Sequence, residues 1–178
     1  MDSNKLQAIN NIANAVRETL GINSDNFDIN QVVEQLHGRI VINPFCTSEA
    51  CVIKDTSNNS LFTIELDNSS YNYSRERFSI AHELGHLFIH MKYLIDMDAW
   101  NQLTEHTSHA RNINAPYSVK ESEANEFAAA FLMPKDRFIE YAEQTSDSSG
   151  YRLDLIASNF NVSMESAKIR GKILGLWG

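Results

Sequence analysis

The residues of this chain that could do chemistry include two histidines and a glutamate in the pentapeptide His82-Glu83-Leu84-Gly85-His86. Residues four positions apart lie side by side on an α-helix, so the imidazoles of His82 and His86 can bind the same metal ion. The carboxylate of Glu83 can reach a water molecule on that ion and take a proton from it. Zinc hydrolases use this HExxH spacing, and the pentapeptide therefore predicts one Zn²⁺ ion and a hydrolytic reaction.

The residues around the pentapeptide predict a buried helix over residues 74–90, with Ser74 as its N-cap. On a helical wheel, apolar side chains cover most of the circumference. One arc of about 100° is polar and contains His82, His86, His90, Glu83 and Ser79. A buried helix carries such groups only where they have partners. We therefore expect the arc to face a polar cleft or a metal ion; a hydrogen-bonded polar seam without metal is the alternative.

A catalytic zinc site usually has three protein ligands and an open position for water, so a third ligand is needed. The candidates in the sequence are His90, His106, His109, Glu121 and Glu123. On a continuous helix His90 would lie about 12 Å from His82 along the axis, too far for both to bind one ion. We expect His90 to line the cleft or to cap the helix.

The helix predicted over residues 119–133 distinguishes between the acids. On its wheel Glu121 lies among core-facing apolar residues, whereas Glu123 and Glu126 lie outside that arc, where a solvated surface acid is expected. A core-facing carboxylate is costly unless it coordinates an ion or forms a pair, so Glu121 is the predicted third ligand. Asn125, one turn later, can accept a hydrogen bond from the outer nitrogen of a ligating histidine.

Hydrophobic periodicity predicts an α+β fold in which a small antiparallel or mixed sheet packs on the motif helix and the C-terminal part is helical. Further helices are expected over residues 5–20, 28–37 and 135–144, and as a pair turning at Asn161 over residues 153–174; strands are expected over residues 39–42, 50–54 and 61–67. The last of these strands is a candidate for binding an extended substrate by strand addition. Residues 91–118 are expected to form a loop with short helical pieces.

The length of 178 residues fits one domain, and we expect residues 1–178 to form a single metallopeptidase domain. The helical and sheet part would occupy about residues 1–90, and the second ligand helix and the C-terminal helices about residues 118–178. The N-terminus lacks the apolar core of a signal peptide, and the longest apolar run is too short to span a bilayer. We therefore expect a cytoplasmic protein without a membrane partner.

The charge and the cysteines argue against nucleic-acid binding and against a structural zinc site made of cysteines. Fifteen basic and 23 acidic residues give a net charge of −8, which argues against bulk electrostatic binding of nucleic acid. Lys168, Arg170 and Lys172 nevertheless give the last helix a basic face, so DNA binding is kept as a third choice. Cys46 and Cys51 match no structural zinc pattern, and we interpret them as reduced thiols in or beside a strand.

Two motifs resemble the ImmA/IrrE family of bacterial and phage zinc metallopeptidases. They are HELGHLFIH at residues 82–90, preceded by Arg75, Arg77 and Phe78, and ESEANEFAAAFLMP at residues 121–134. The stretch LIASNFNVSMESAKIR, which begins at Leu155, is similar to the closing helices of the same family. The resemblance covers roughly residues 75–174.

This resemblance implies a zincin-like fold with metal ligands at His82, His86 and Glu121 and the catalytic acid/base at Glu83. Asn125 stands where thermolysin-like gluzincins have aspartate; it can still accept a hydrogen bond but adds no charge. Family members typically act on helix-turn-helix repressors of mobile elements or stress genes, and some are paired with such regulators as toxin and antitoxin.

The expected function is therefore zinc-dependent endopeptidase activity on a helix-turn-helix repressor or antitoxin-like regulator. The alternative is a non-proteolytic binding module, or toxin-like partner, that sequesters such a regulator. Candidates for stabilising the oxyanion or contacting substrate are Tyr71, Tyr73, His90, His106, His109 and Tyr117. The sequence does not distinguish among these six.

Overall fold

The computed structural model of the chain describes residues 1–46, 48–67, 72–110, 118–148 and 150–178. These ranges contain the helices α1 (Ser3–Thr19), α2 (Ile29–Gln35), α3 (Tyr73–Gly85), α4 (Met97–Gln102), α5 (Val119–Leu132), α6 (Lys135–Gln144), α7 (Leu153–Phe160) and α8 (Met164–Ile173). They also contain the strands β1 (Gly38–Ile42), β2 (Ala50–Lys54), β3 (Phe62–Leu66) and β4 (Ser108–Ala110). The expected α+β architecture is confirmed, and β4 is a short strand within the stretch that was predicted to be a loop.

The strands form a mixed sheet in the order β1-β3-β2-β4. Strand β3 pairs in parallel with β1, and β2 pairs in antiparallel with both β3 and β4. Strand β3 is hydrogen-bonded to a neighbouring strand on both sides. The expectation that an extended substrate pairs with residues 61–67 is therefore wrong. A strand can accept another strand only where one of its edges is free.

Helix α5 packs between α3 on one side and α1 on another. The contact with α3 is close because Gly85, in the HELGH pentapeptide, has no side chain. A Cβ atom at Gly85 would lie 2.9 Å from Ala124 Cα and 3.0 Å from the Ala124 carbonyl oxygen. This glycine therefore sets the distance between the two helices that carry the predicted ligands.

The motif helix differs at both ends from its prediction. Its N-cap is Asn72, whose side chain accepts a hydrogen bond from the backbone N–H of Arg75, and not Ser74. Regular α-helix ends at Gly85, and the segment His86–His90 continues as one π-helical turn. Such wider turns often occur at functional sites. No local sequence pattern predicts this one.

The C-terminal helices form the predicted pair, with Asn161 in the left-handed conformation at φ 52° between α7 and α8. The prediction that Arg170 belongs to an exposed basic face of α8 is wrong, because this residue is only 1% exposed. Its guanidinium donates to the Met133 carbonyl oxygen at 3.1 Å and to Glu126 Oε1 at 2.9 Å. Arg170 thus fastens α8 to α5 and is not available to a DNA phosphate.

Among the helices that the structure describes, none combines the length and the hydropathy that crossing a bilayer requires.

Candidate metal centre

Three buried side chains converge between α3 and α5. The Nε2 atoms of His82 and His86 are 3.1 Å apart. Glu121 places Oε2 at 3.2 Å from His82 Nε2 and Oε1 at 3.5 Å from His86 Nε2. Each of the three residues is at most 4% exposed.

This convergence has the dimensions of a tetrahedral zinc site. Bonds of about 2.05 Å to nitrogen and about 2.1 Å to oxygen place ligand atoms about 3.3 to 3.4 Å apart at tetrahedral angles. The 3.1 Å between the two nitrogens lies within about 0.3 Å of this value, and each nitrogen has a different Glu121 oxygen beside it, at 3.2 and 3.5 Å. Two imidazoles and one carboxylate with room for water are also the donor set of many catalytic zinc sites. The residues present therefore fit a zinc ion.

Glu83 follows His82 on α3 and is 1% exposed. Together with His82 it lines a narrow cleft, whose wall also includes Ser79, Asn125 and Ala50. Ala50 is the first residue of β2, so the sheet forms one wall of the cleft and α3 another. A carboxylate in this position can exchange a proton with a water molecule that enters the cleft.

Glu49 also lines this cleft, although it belongs to no motif in the sequence. Its Oε1 accepts hydrogen bonds from Ser79 Oγ at 2.9 Å and from Arg75 Nε at 2.7 Å. Glu49 lies in an irregular loop before β2, and only the tertiary fold brings it to α3. No spacing or periodicity pattern could have found it.

Asn125 lies one turn after Glu121 on α5 and faces His82. Its Oδ1 is 2.9 Å from His82 Nδ1. An imidazole that donates its Nδ1–H to this amide oxygen keeps the lone pair of Nε2 for a metal ion. The hydrogen bond therefore selects the tautomer that the ligand geometry requires.

His86 has a corresponding partner in His90, with the two Nδ1 atoms 3.0 Å apart. His90 Nε2 is in turn 3.2 Å from Glu123 Oε2, and Glu123 forms an ion pair with Lys5 of α1. If His86 keeps Nε2 for the metal, it donates Nδ1–H to His90, which then donates Nε2–H to Glu123. His90 thus orients a predicted ligand, and it is not among the residues that line the cleft.

Electrostatics fit this chain of hydrogen bonds. Burial lowers the pKa of His90 and keeps its imidazole neutral, although the nearby Glu123 opposes the shift. Burial alone would raise the pKa of Glu123, but hydrogen bonds from Lys5 and His90 outweigh it and hold this pKa below its usual value. A neutral imidazole between a ligand and a carboxylate can accept from one and donate to the other.

The expectation that Glu123 and Glu126 are solvated surface acids is wrong, since they are 4% and 5% exposed. The wheel identified one buried face of α5, but this helix is covered on several sides. Glu123 pairs with Lys5 of α1, and Glu126 accepts hydrogen bonds from Arg170 and, at 2.7 Å, from Asn10 Nδ2. Buried acids on the far side of α5 therefore have cationic partners on other helices.

The remaining predicted candidates are not brought to the cleft within the described part of the chain. Tyr73 is 46% exposed at the start of α3, about 13 Å along the axis from His82. His106 lies in an exposed turn with a positive φ of 63°. Tyr71, Tyr117 and the side chain of His109 lie outside the described residues.

Comparison with known proteins finds a family whose model matches this chain. Residues 68–172 match the model of Peptidase_M78, described as IrrE N-terminal-like domain. Eleven chains of solved structures are also similar. One of them, titled Mycobacterium tuberculosis transcriptional regulator, is 19% identical with a TM-score of 0.54, covering 90% of this chain and 45% of that one. The present chain thus spans less than half of that protein, and the likeness establishes a shared fold. No curated protein matches the sequence.

Proposed function

This chain belongs to the Peptidase_M78 metallopeptidase family, whose model covers more than half of its residues, and we propose that it is a zinc-dependent endopeptidase. The observation that carries the proposal is the convergence of the buried His82, His86 and Glu121, whose ligand atoms all lie within 4.8 Å of one another. Glu83 beside them supplies the group that peptide hydrolysis needs for proton transfer.

The ion and the side chains would have different roles in the reaction. When bound, zinc would supply Lewis-acid chemistry, lowering the pKa of water and polarising a peptide carbonyl. Glu83 takes a proton from the attacking water and delivers it to the amide nitrogen as the C–N bond breaks. One water molecule is consumed, and a new carboxylate and a new amine result.

The protein keeps these groups in position by hydrogen bonds and close packing. Asn125 holds the His82 ring, and His90 with Glu123 holds the His86 ring, in the tautomers that leave both Nε2 atoms for the ion. Such preorganisation lowers the cost of charge development during the reaction.

For the substrate we propose a helix-turn-helix repressor or antitoxin-like regulator of a mobile element or a stress response. The support for this class is the family resemblance of the two motifs. A protease of this kind would act in the cytoplasm, where such regulators bind DNA.

Two measurements on purified protein test the proposal. Replacing His82 with alanine should lower the zinc content by one ion per chain in elemental analysis. Glu83→Gln should retain zinc but stop cleavage of a helix-turn-helix repressor encoded beside the gene. The matched control is Glu143→Gln, the same change at an exposed position on α6, which should cleave as the wild type does.

The outcomes also distinguish a peptidase from a binding module that does not cleave its partner. Undiminished cleavage by Glu83→Gln would rule out its proposed role. A stable complex with the repressor that neither wild type nor Glu83→Gln cleaves would instead identify a binding module.

A further inference from the structure

A second cluster of metal-binding atoms lies at the sheet and contains none of the three predicted ligands. Cys46 Sγ and Cys51 Sγ are 3.9 Å apart, and Cys51 Sγ is 4.0 Å from Glu65 Oε2. All three ligand atoms lie within 4.8 Å of one another. We propose that Cys46, Cys51 and Glu65 form a second cation site, for a thiophilic divalent ion such as Zn²⁺ or Cd²⁺. This inference goes beyond the proposed peptidase function and does not depend on it.

The fold places these groups together by pairing and by a turn. Cys51 on β2 lies directly opposite Glu65 on β3 in the antiparallel register. Cys46 reaches them from the loop before β2, whose turn is held by the Cys46 N–H donating to the Asn43 carbonyl oxygen at 3.0 Å. Asn43 also donates from Nδ2 to Glu65 Oε2 at 2.8 Å and so fixes the carboxylate. Supporting hydrogen bonds of this kind orient the ligands of metal sites.

The distances favour an ion over a disulfide. Zinc–sulfur bonds of about 2.3 Å at tetrahedral angles place two thiolates about 3.8 Å apart, and a thiolate and a carboxylate oxygen about 3.6 Å apart. The observed 3.9 and 4.0 Å exceed these values by only a few tenths of an ångström, and the third pair, Cys46 and Glu65, lies within 4.8 Å. A disulfide of about 2.05 Å would require the two sulfurs to approach by about 1.9 Å.

The charge balance also fits a cation. Cys51 is buried and lies beside the Glu65 carboxylate. A thiolate in this setting needs a positive partner, which a divalent ion provides when it displaces the proton. The two thiolates and Glu65 carry three negative charges, enough to neutralise the ion.

An ion can reach the site from solvent. Cys46 is half-buried, and its neighbour Phe45 is 88% exposed at the tip of the loop. A water molecule would complete a four-coordinate shell.

Cobalt(II) titration of the reduced protein, without air, tests the site. Thiolate–cobalt bonds give a charge-transfer absorption in the near ultraviolet, which imidazole and carboxylate ligands do not. Because the sequence contains only two cysteines, this absorption reports on the proposed site alone. We expect it to saturate at one thiolate-bound ion per chain, to persist in His82→Ala and in the Glu143→Gln control, and to be lost in Cys46→Ser.

The wild-type spectrum decides the question even if a variant fails to fold. Absence of the charge-transfer absorption at saturating cobalt overturns the proposal, as does an unchanged absorption in Cys46→Ser. A mass lower by two hydrogens in protein purified without reductant, together with no thiolate–cobalt signal after reduction, would identify a disulfide pair and also overturn it. In Glu65→Gln, which keeps an acceptor for Asn43, weaker cobalt binding with the absorption still present supports a carboxylate ligand.

Discussion

Replacing Gly85 with alanine should move apart the two helices that carry the predicted ligands. The new Cβ would lie 2.9 Å from Ala124 Cα, 3.0 Å from the Ala124 carbonyl oxygen and 3.2 Å from Phe127 Cβ. The first two neighbours are backbone atoms of α5, which cannot rotate away as a flexible side chain could. The strain must therefore be relieved by separating α3 from α5.

The structure gives the size of both effects. Carbon atoms in ordinary contact are at least about 3.5 Å apart, so the helices must separate by about 0.6 Å. Overpacking costs about 1 to 3 kcal/mol, and the better helix propensity of alanine returns about 1 kcal/mol, for a net loss of about 0 to 2 kcal/mol of stability. Metal sites tolerate only about 0.2 Å in ligand distance, so we expect zinc affinity to fall by about 10 to 100-fold.

A chelator competition on the refolded apoprotein measures zinc affinity, and urea unfolding measures stability. Two other glycines serve as matched controls. Gly178→Ala meets nothing within 4 Å and should change neither quantity. Gly171→Ala would overlap the ring of Trp177, far along the chain from the ligands, and should lower stability without changing zinc affinity.

Wild-type zinc affinity in Gly85→Ala would show that the ligand spacing does not depend on the contact between α3 and α5. An equal loss of zinc affinity in Gly171→Ala would also contradict this dependence. Such a loss would show that general destabilisation, and not ligand separation, controls binding.

Three further changes test other contacts. Asn125→Ala should weaken zinc binding by about 10 to 100-fold in chelator competition, whereas Asn125→Asp keeps the hydrogen-bond acceptor and should lose much less; equal losses would contradict this role. Arg170→Met leaves the carboxylate of Glu126 buried without its charged partner, so the free energy of unfolding in urea should fall by about 3 to 5 kcal/mol. Adding Glu126→Gln should recover part of that loss, and no recovery would contradict the pairing. The pKa of Asp55 is held well below its usual value, chiefly by hydrogen bonding from Ser57. Its stabilisation is therefore complete above about pH 4 and is lost as the pH falls toward the folded-state pKa. Asp55→Asn should lower stability at neutral pH and flatten the acid decline, and an unchanged pH profile would contradict this.

The local sequence was sufficient for much of the fold. Most helix and strand bounds lie within about two residues of their predictions, because periodic apolar residues and caps are short-range signals. The helical wheel of α5 predicts that Glu121 faces the core, and in the structure Glu121 lies beside His82 of α3. The same wheel failed for Glu123 and Glu126 because a wheel locates the most apolar face of a helix but not how many neighbours cover the others.

What the sequence could not supply depends on contacts between distant segments. Glu49 enters the cleft only because the loop before β2 folds against α3. The pairing of β3 on both edges, which excludes it as a substrate strand, follows from the order of strands in the sheet. The π-helical turn at His86–His90 brings His90 to His86 and Glu123, and no cap or periodicity marks it in the sequence.

We propose above that His82, His86 and Glu121 bind one zinc ion. A crystal structure of the zinc-loaded protein, with anomalous diffraction recorded on both sides of the zinc edge, tests it most directly. We expect an anomalous peak about 2.0 to 2.2 Å from His82 Nε2, His86 Nε2 and a Glu121 carboxylate oxygen. A zinc-loaded crystal with no peak between these three atoms would contradict it.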